Sequence, residues 1–223
     1  MGWREWLGVA ALFVAYQAPA LVGKPWLLLL FFVVAWAIGR RYGLEGSGGR
    51  WRYLPLGFAM AMGAKGLALL VGSWAGVYRV EAGGGLALGA LLVGVPYTFL
   101  PSIAEDILTR GYLFGQAWRP WVFVVVSSVV YVLNHVYRLD EWWMLFAFGC
   151  AYGAGVARAG TLWGAVGLHW GWNFANVFYG QVLPVEAISV VGGRAISAGA
   201  HLAMLVVVWR WWGVTRDRDR GWL

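Results

Sequence analysis

The chain has 223 residues, of which 61% are hydrophobic and only 12% charged, with a formal net charge of +7. Apolar runs of helix length recur along it, which excludes a soluble domain and indicates a polytopic membrane protein; the runs do not alternate as barrel strands do. The positive charge does not point to nucleic acid, because Lys and Arg sit between the apolar runs, where the positive-inside rule accounts for them.

In chain order the expected spans are Trp6–Val22, Pro25–Gly39 and Tyr53–Val71, then a weaker Gly-rich segment, Leu86–Phe99. A helix Ser102–Trp118 follows, then Trp121–Val136, Trp142–Val156, Leu162–Tyr179 and Ala195–Gly213. The fold class is therefore all-α, a helical bundle of about eight transmembrane helices. Ala18-Pro19-Ala20 resembles a signal-peptide cleavage site, but another apolar run begins within a few residues, so an uncleaved first span is expected. Most tryptophans fall near the ends of the runs, as an interfacial aromatic belt requires. Glu45-Gly46-Ser47-Gly48-Gly49 reads as a short flexible loop. The single cysteine, Cys150, lies in an apolar run without an activating base and is assigned to packing.

The arginines set an orientation. The loop with Arg40, Arg41, Arg50 and Arg52 and the tail with Arg216, Arg218 and Arg220 are both expected to be cytoplasmic. That requires an even number of crossings between them. Letting Leu86–Phe99, which is flanked by Gly83-Gly84-Gly85, Pro96 and Pro101, enter the membrane without crossing it meets the requirement. Both termini are then inside, and the start of the helix at Ser102 lies toward the outer face.

The chemistry concentrates in Pro101-Ser102-Ile103-Ala104-Glu105-Asp106-Ile107-Leu108-Thr109-Arg110. A charge at bilayer depth costs roughly 2.5 to 3.5 kcal/mol, so such groups face a protein interior and serve a function. On a helix capped by Ser102, Asp106 and Arg110 are i,i+4 neighbours that neutralise one another, leaving Glu105 without a permanent partner. The competing reading is a capping box, in which Glu105 only satisfies the helix start. Two further constellations weigh against it. Tyr131-Val-Leu-Asn134-His135 carries a histidine to the far end of the next, antiparallel span. His169-Trp-Gly-Trp-Asn173 sets a histidine and an amide on one helix face. Taken singly, His135, His169, Asn134, Asn173, Asn176 and His201 each read as interhelical hydrogen-bonding groups. His201, Asn134 and Asn176 keep that structural assignment.

Together, an acid, two histidines and an amide suffice for hydrolysis without a covalent intermediate. Glu105, helped by His135, can take a proton from water attacking a peptide carbonyl, while His169 and Asn173 donate to the oxyanion. Asp106 and Arg110 would hold Glu105 in place. There is no HExxH zinc motif and no GxSxG elbow. Zinc held by Glu105, His135 and His169 is chemically allowed, but no compact ligand motif supports it, and no metal or other cofactor is expected.

The pattern resembles the CPBP family (CAAX protease and bacteriocin-processing, also called Abi) of intramembrane glutamic proteases. The family's EExxxR, FxxxH and HxxxN/D motifs correspond to Glu105-Asp106-xxx-Arg110, Tyr131-xxx-His135 and His169-xxx-Asn173. The likeness covers about residues 95–180, and Asp106 and Tyr131 depart from the pattern without removing a residue assigned to chemistry. The resemblance implies a metal-independent membrane peptidase whose Glu105 and His135 activate water and whose His169 and Asn173 support the oxyanion. The chain then divides into N-terminal helices (1–94), a catalytic helical core (95–180) and a last helix with a basic tail (181–223). The implied partners are membrane lipids and a membrane-anchored or lipidated protein or peptide, not nucleic acid. The expected setting is a prokaryotic plasma membrane. Two alternatives stay open at this point: a non-catalytic peptide-binding or immunity factor, and a proton-coupled transporter with Glu105 and the histidines as its relay.

Overall fold

The computed structural model describes residues 3–38, 42–45, 50–81, 85–114 and 118–213. Arg40, Arg41, the loop residues 46–49, Gly83, Gly84 and the tail arginines Arg216, Arg218 and Arg220 lie outside the described residues. Eight α-helices make up the bundle among the described residues. They are α1 (Trp3–Val22), α2 (Leu28–Ile38), α3 (Tyr53–Trp74), α4 (Leu88–Asp106), α5 (Pro120–Leu133), α6 (Trp142–Ala159), α7 (Trp163–Val182) and α8 (Val190–Trp211). The all-α expectation holds. The stretches Arg50–Trp74, Leu88–Gly111 and Val190–Trp211 are long and apolar enough to cross a membrane, and the protein is an integral membrane protein. Trp36, Leu70, Trp74 and Val93 lie on its outer surface, where lipid rather than water is the solvent.

The region before the first motif departs from expectation. Leu86–Phe99 and Ser102–Trp118 are not a dipping segment and a new helix. They are joined as α4, which runs through Pro96 and Pro101 and closes in a π-turn, Ile107–Gly111. Ser102 is therefore mid-helix rather than a cap, and the capping-box reading falls with it. In water a proline inside a helix costs about 3 kcal/mol and usually ends it. In lipid, prolines are tolerated inside spanning helices, and the helix's own hydroxyls bond back one turn onto its carbonyls. Thr98 Oγ1 donates to the Gly94 carbonyl at 2.7 Å, Ser102 Oγ to that of Thr98 at 2.7 Å, and Thr109 Oγ1 to that of Glu105 at 2.8 Å. Six α-helices, α3 to α8, follow Arg52 among the described residues.

A two-stranded antiparallel ribbon, β1 (Tyr78–Val80) with β2 (Val185–Ala187), joins the ends of α3 and α7, with Arg79 opposite Glu186. It has no counterpart in the apolar pattern, since three-residue strands carry no readable alternation.

At the centre, α6 is buried along most of its length and packs on α5, α7 and α8, while α7 packs on α3, α4 and α6. Small residues permit this closeness, as they do where membrane helices lack a hydrophobic drive to associate. A Cβ at Gly167 would lie 2.4 Å from the Leu54 carbonyl oxygen, and one at Gly171 2.5 Å from that of Phe58. Backbone contact between α3 and α7 thus fixes the height and rotation of α7, and with them the direction of His169.

Candidate active site

Glu105 and Asp106 end α4 immediately before the π-turn, an irregularity often found at functional sites. Both are buried, as are Arg110, Asn134, His135 and His169. Arg110 hydrogen-bonds Asp106 one turn away and also donates to Thr109 Oγ1 at 2.9 Å. The guanidinium lies over the rings of Tyr131, at 4.9 Å, and Tyr152, at 5.2 Å. Two aromatic faces thus shelter a cation that would otherwise be costly to bury.

The Glu105 carboxylate reaches three helices. Its Oε1 is 3.3 Å from His135 Nε2 and accepts from Asn134 Nδ2 at 3.0 Å; its Oε2 is 3.6 Å from His169 Nε2. From α1, the Tyr16 side chain also approaches it. His135 follows the end of α5 and turns its ring back, so that Nδ1 lies 2.9 Å from the Tyr131 carbonyl oxygen. A carbonyl only accepts, so Nδ1 carries a proton and the exchangeable proton of this imidazole is the one on Nε2, facing Glu105. A proton taken up by this pair can sit on Glu105 Oε1 or on His135 Nε2, which face each other at 3.3 Å.

His169 is held differently. Its ring stacks on Tyr152 at 4.7 Å and 19°, and presents Nδ1 to Asp106 Oδ2 at 3.4 Å. Both of these facing atoms are buried without a completed hydrogen bond. His169 thus has a carboxylate facing each nitrogen, Asp106 at 3.4 Å and Glu105 at 3.6 Å.

Asn173, one turn beyond His169 on α7, is half-buried and donates Nδ2 to Ser102 Oγ at 3.0 Å. Ser102 lies one turn before Asp106, so the amide stands beside the carboxylates without touching them. The structure therefore brings Glu105, His135 and His169 into direct contact and sets Asn173 one helical turn away. Tyr131 contributes its carbonyl to His135 and its ring to Arg110.

Three contributors escaped the sequence reading. Asn134, assigned there to structure, binds Glu105 and receives Gln17 Nε2 from α1 on its Oδ1 at 3.0 Å. Its position next to His135 was the available signal. Tyr152 carries the stacking surface for His169, and its hydroxyl is 3.0 Å from His201 Nε2. Because His201 Nδ1 lies 2.8 Å from the Ser197 carbonyl, Nε2 is the acceptor and Tyr152 the donor. Gln17 had no signal, being one amide in an apolar first span. Among the described residues, no group of three His, Cys, Asp or Glu side chains is disposed to hold a metal ion.

Residues 87–175 match the family model described as Type II CAAX prenyl endopeptidase Rce1-like. No curated protein and no solved structure matches the chain. The matched segment contains all three motifs, with Glu105, His135, His169 and Asn173 inside it. Over that segment the chain is similar to the CAAX prenyl endopeptidases that the model describes.

Proposed function

We propose that this protein is an intramembrane endopeptidase of glutamic type. It would hydrolyse a peptide bond of a membrane-anchored protein or peptide with water activated by Glu105 and His135, without a metal. The observation that carries the reading is the buried Glu105 carboxylate between two imidazoles from different helices, at 3.3 and 3.6 Å. Nothing in packing requires that arrangement, and proton transfer does.

In the reaction, a water bound against Glu105 gives up a proton to the Glu105–His135 pair as its oxygen bonds to the carbonyl carbon. Asn134 holds Oε1 in place, so the carboxylate meets the water in a fixed direction. The oxyanion takes its hydrogen bonds from His169 Nε2–H and the Asn173 amide. As the C–N bond breaks, the proton held by the pair passes to the departing nitrogen, and Glu105 is again a carboxylate. Asp106 accepts from His169 Nδ1–H, while Arg110 holds the Asp106 carboxyl in place.

The family that the matched segment resembles is one of CAAX prenyl endopeptidases. We take the substrate class to be a lipid-anchored peptide cut near its C-terminus. With six helices between the two arginine-rich stretches, both termini are cytoplasmic in our reading, in a prokaryotic plasma membrane. The test uses purified protein in nanodiscs and a fluorogenic peptide containing S-farnesyl cysteine followed by three aliphatic residues. Glu105→Gln should lower kcat by about 10²–10⁴-fold or more while binding persists, and chelators should leave the wild-type rate unchanged. Cleavage that survives Glu105→Gln, or that stops only on chelation, would exclude the mechanism.

A further inference from the structure

A second polar feature lies along α7, away from Glu105. A cavity of about 510 Å³ opens between α3, α7 and the β1–β2 ribbon. Lys65, in the middle of α3, lines it, with Leu69, Tyr78, Asn176, Tyr179 and Val185 among its other walls. Lys65 is half-buried, with its ammonium 4.9 Å from the Trp172 ring. It is the only charged residue of α3, and α7 has none. Among the described residues no carboxylate pairs with it. An ammonium at that position in a spanning helix is costly unless an anion comes to it.

The donors on the cavity wall narrow the anion. The Tyr179 hydroxyl is committed to the Met62 carbonyl at 3.3 Å and that of Tyr78 to the Gly193 carbonyl at 3.2 Å. That leaves the Lys65 ammonium and the exposed Asn176 amide to receive a ligand, beside the apolar walls of Leu69 and Val185. A cation and an amide beside aliphatic surface suit the carboxylate of an aliphatic residue at a chain end.

The distance to the catalytic residues agrees with this. Asn176 is seven residues after His169, about 10 Å along the helix at 1.5 Å per residue, and with Asn173 between them it continues the same face. Three residues of extended peptide span about 10 Å. We propose that Lys65 and Asn176 form a receptor for the substrate's C-terminal carboxylate, placing the scissile bond about three residues upstream, at Glu105. This rests on the endopeptidase reading for its register, though not for the anion site itself.

The test separates the two. Binding is measured in nanodiscs on Glu105→Gln protein, with S-farnesyl peptides ending in three aliphatic residues as either the free acid or the amide. The acid should bind about tenfold more tightly, the worth of a hydrogen bond to a charged group. Adding Lys65→Met should bring the acid-to-amide ratio to about one, and Lys65→Arg should restore it. Equal affinity for acid and amide with Lys65 present overturns the proposal, as does a ratio that survives Lys65→Met. Phosphatidylglycerol retained by Lys65 in native mass spectra and lost in Lys65→Met, with the two peptides indistinguishable, assigns the cavity to lipid and also overturns it. If wild-type protein binds the acid preferentially yet cuts neither peptide, the endopeptidase reading fails and the carboxylate receptor stands.

Discussion

The two imidazoles flanking Glu105 are fixed by opposite means. His135 sits in a closed hydrogen-bond chain: Gln17 holds Asn134, Asn134 holds Glu105 Oε1, and the Tyr131 carbonyl fixes the protonated nitrogen of the ring. His169 is placed by surfaces, stacked on Tyr152 and edge-on to Tyr131, and its two nitrogens face carboxylates at 3.4 and 3.6 Å. Hydrogen bonds define where a proton goes; stacking defines a plane and leaves freedom within it. The difference is what supports our proposal that the preset side transfers the proton and that the adaptable side tightens on charge as it develops, as is common in sites observed without substrate.

The strongest way to break that contrast is to give both positions the same side chain. Glutamine retains a hydrogen-bond donor near Nε2 but accepts no proton. His135→Gln should therefore cost about 10²–10⁴-fold in kcat, the worth of acid–base help. His169→Gln, which keeps a donor for the oxyanion, should cost less than the roughly 10²–10³-fold of a deleted oxyanion donor. Equal losses in single-turnover assays would mean that the two histidines share one role.

Arg110 is the next lever, and it acts on stability. Arg110→Met removes the partner of Asp106, both of them fully buried, and breaking such a pair costs about 3–5 kcal/mol. Thermal unfolding in detergent should show the loss. The double variant Arg110→Met/Asp106→Leu should recover much of it, because no uncompensated charge remains. Arg110→Lys should rescue poorly, since an ammonium does not match the planar stack between Tyr131 and Tyr152.

Those two rings also show what the sequence conveyed and what it hid. Motif spacing was legible because it is local: Asp106 to Arg110 and His169 to Asn173 are one helical turn each, and Tyr131 to His135 is another. The break expected before Ser102 was wrong because prolines were judged by their cost in water, whereas in a spanning helix they are tolerated and α4 runs through both. Asn134 was set aside because its partners, Glu105 and Gln17, lie 29 and 117 residues away. Tyr152 likewise meets His169 and His201 only through packing of α6 on α7 and α8. Such contacts have no period to read.

Tyr152 sharpens the comparison at a smaller scale. Tyr152→Phe keeps the stacking ring but leaves His201 Nε2 buried without a donor, at a cost of about 1–3 kcal/mol in stability. Tyr152→Leu removes the stack as well. If His169 is placed by its ring surface, Leu should lower kcat clearly more than Phe, and it should also be the less stable variant because Arg110 loses one of its aromatic faces. Equal kcat for the two would transfer the positioning of His169 to Asp106 alone.

The smallest effect expected is at Ser102, and it isolates Asn173. The Ser102 hydroxyl accepts from Asn173 Nδ2 at 3.0 Å while donating to the Thr98 carbonyl at 2.7 Å, so its lone pair is aimed by the helix that carries Glu105. Ser102→Ala removes that anchor without touching a carboxylate or an imidazole. A neutral hydrogen bond is worth about 0.5–1.5 kcal/mol, so the rate should fall roughly two- to tenfold. Where that loss appears is informative. An amide that donates only to the oxyanion acts in the transition state, so kcat should fall with KM little changed. An amide that instead grips the bound peptide would raise KM at constant kcat, and Asn173 would then belong with Asn176 and Lys65 in holding the substrate's tail.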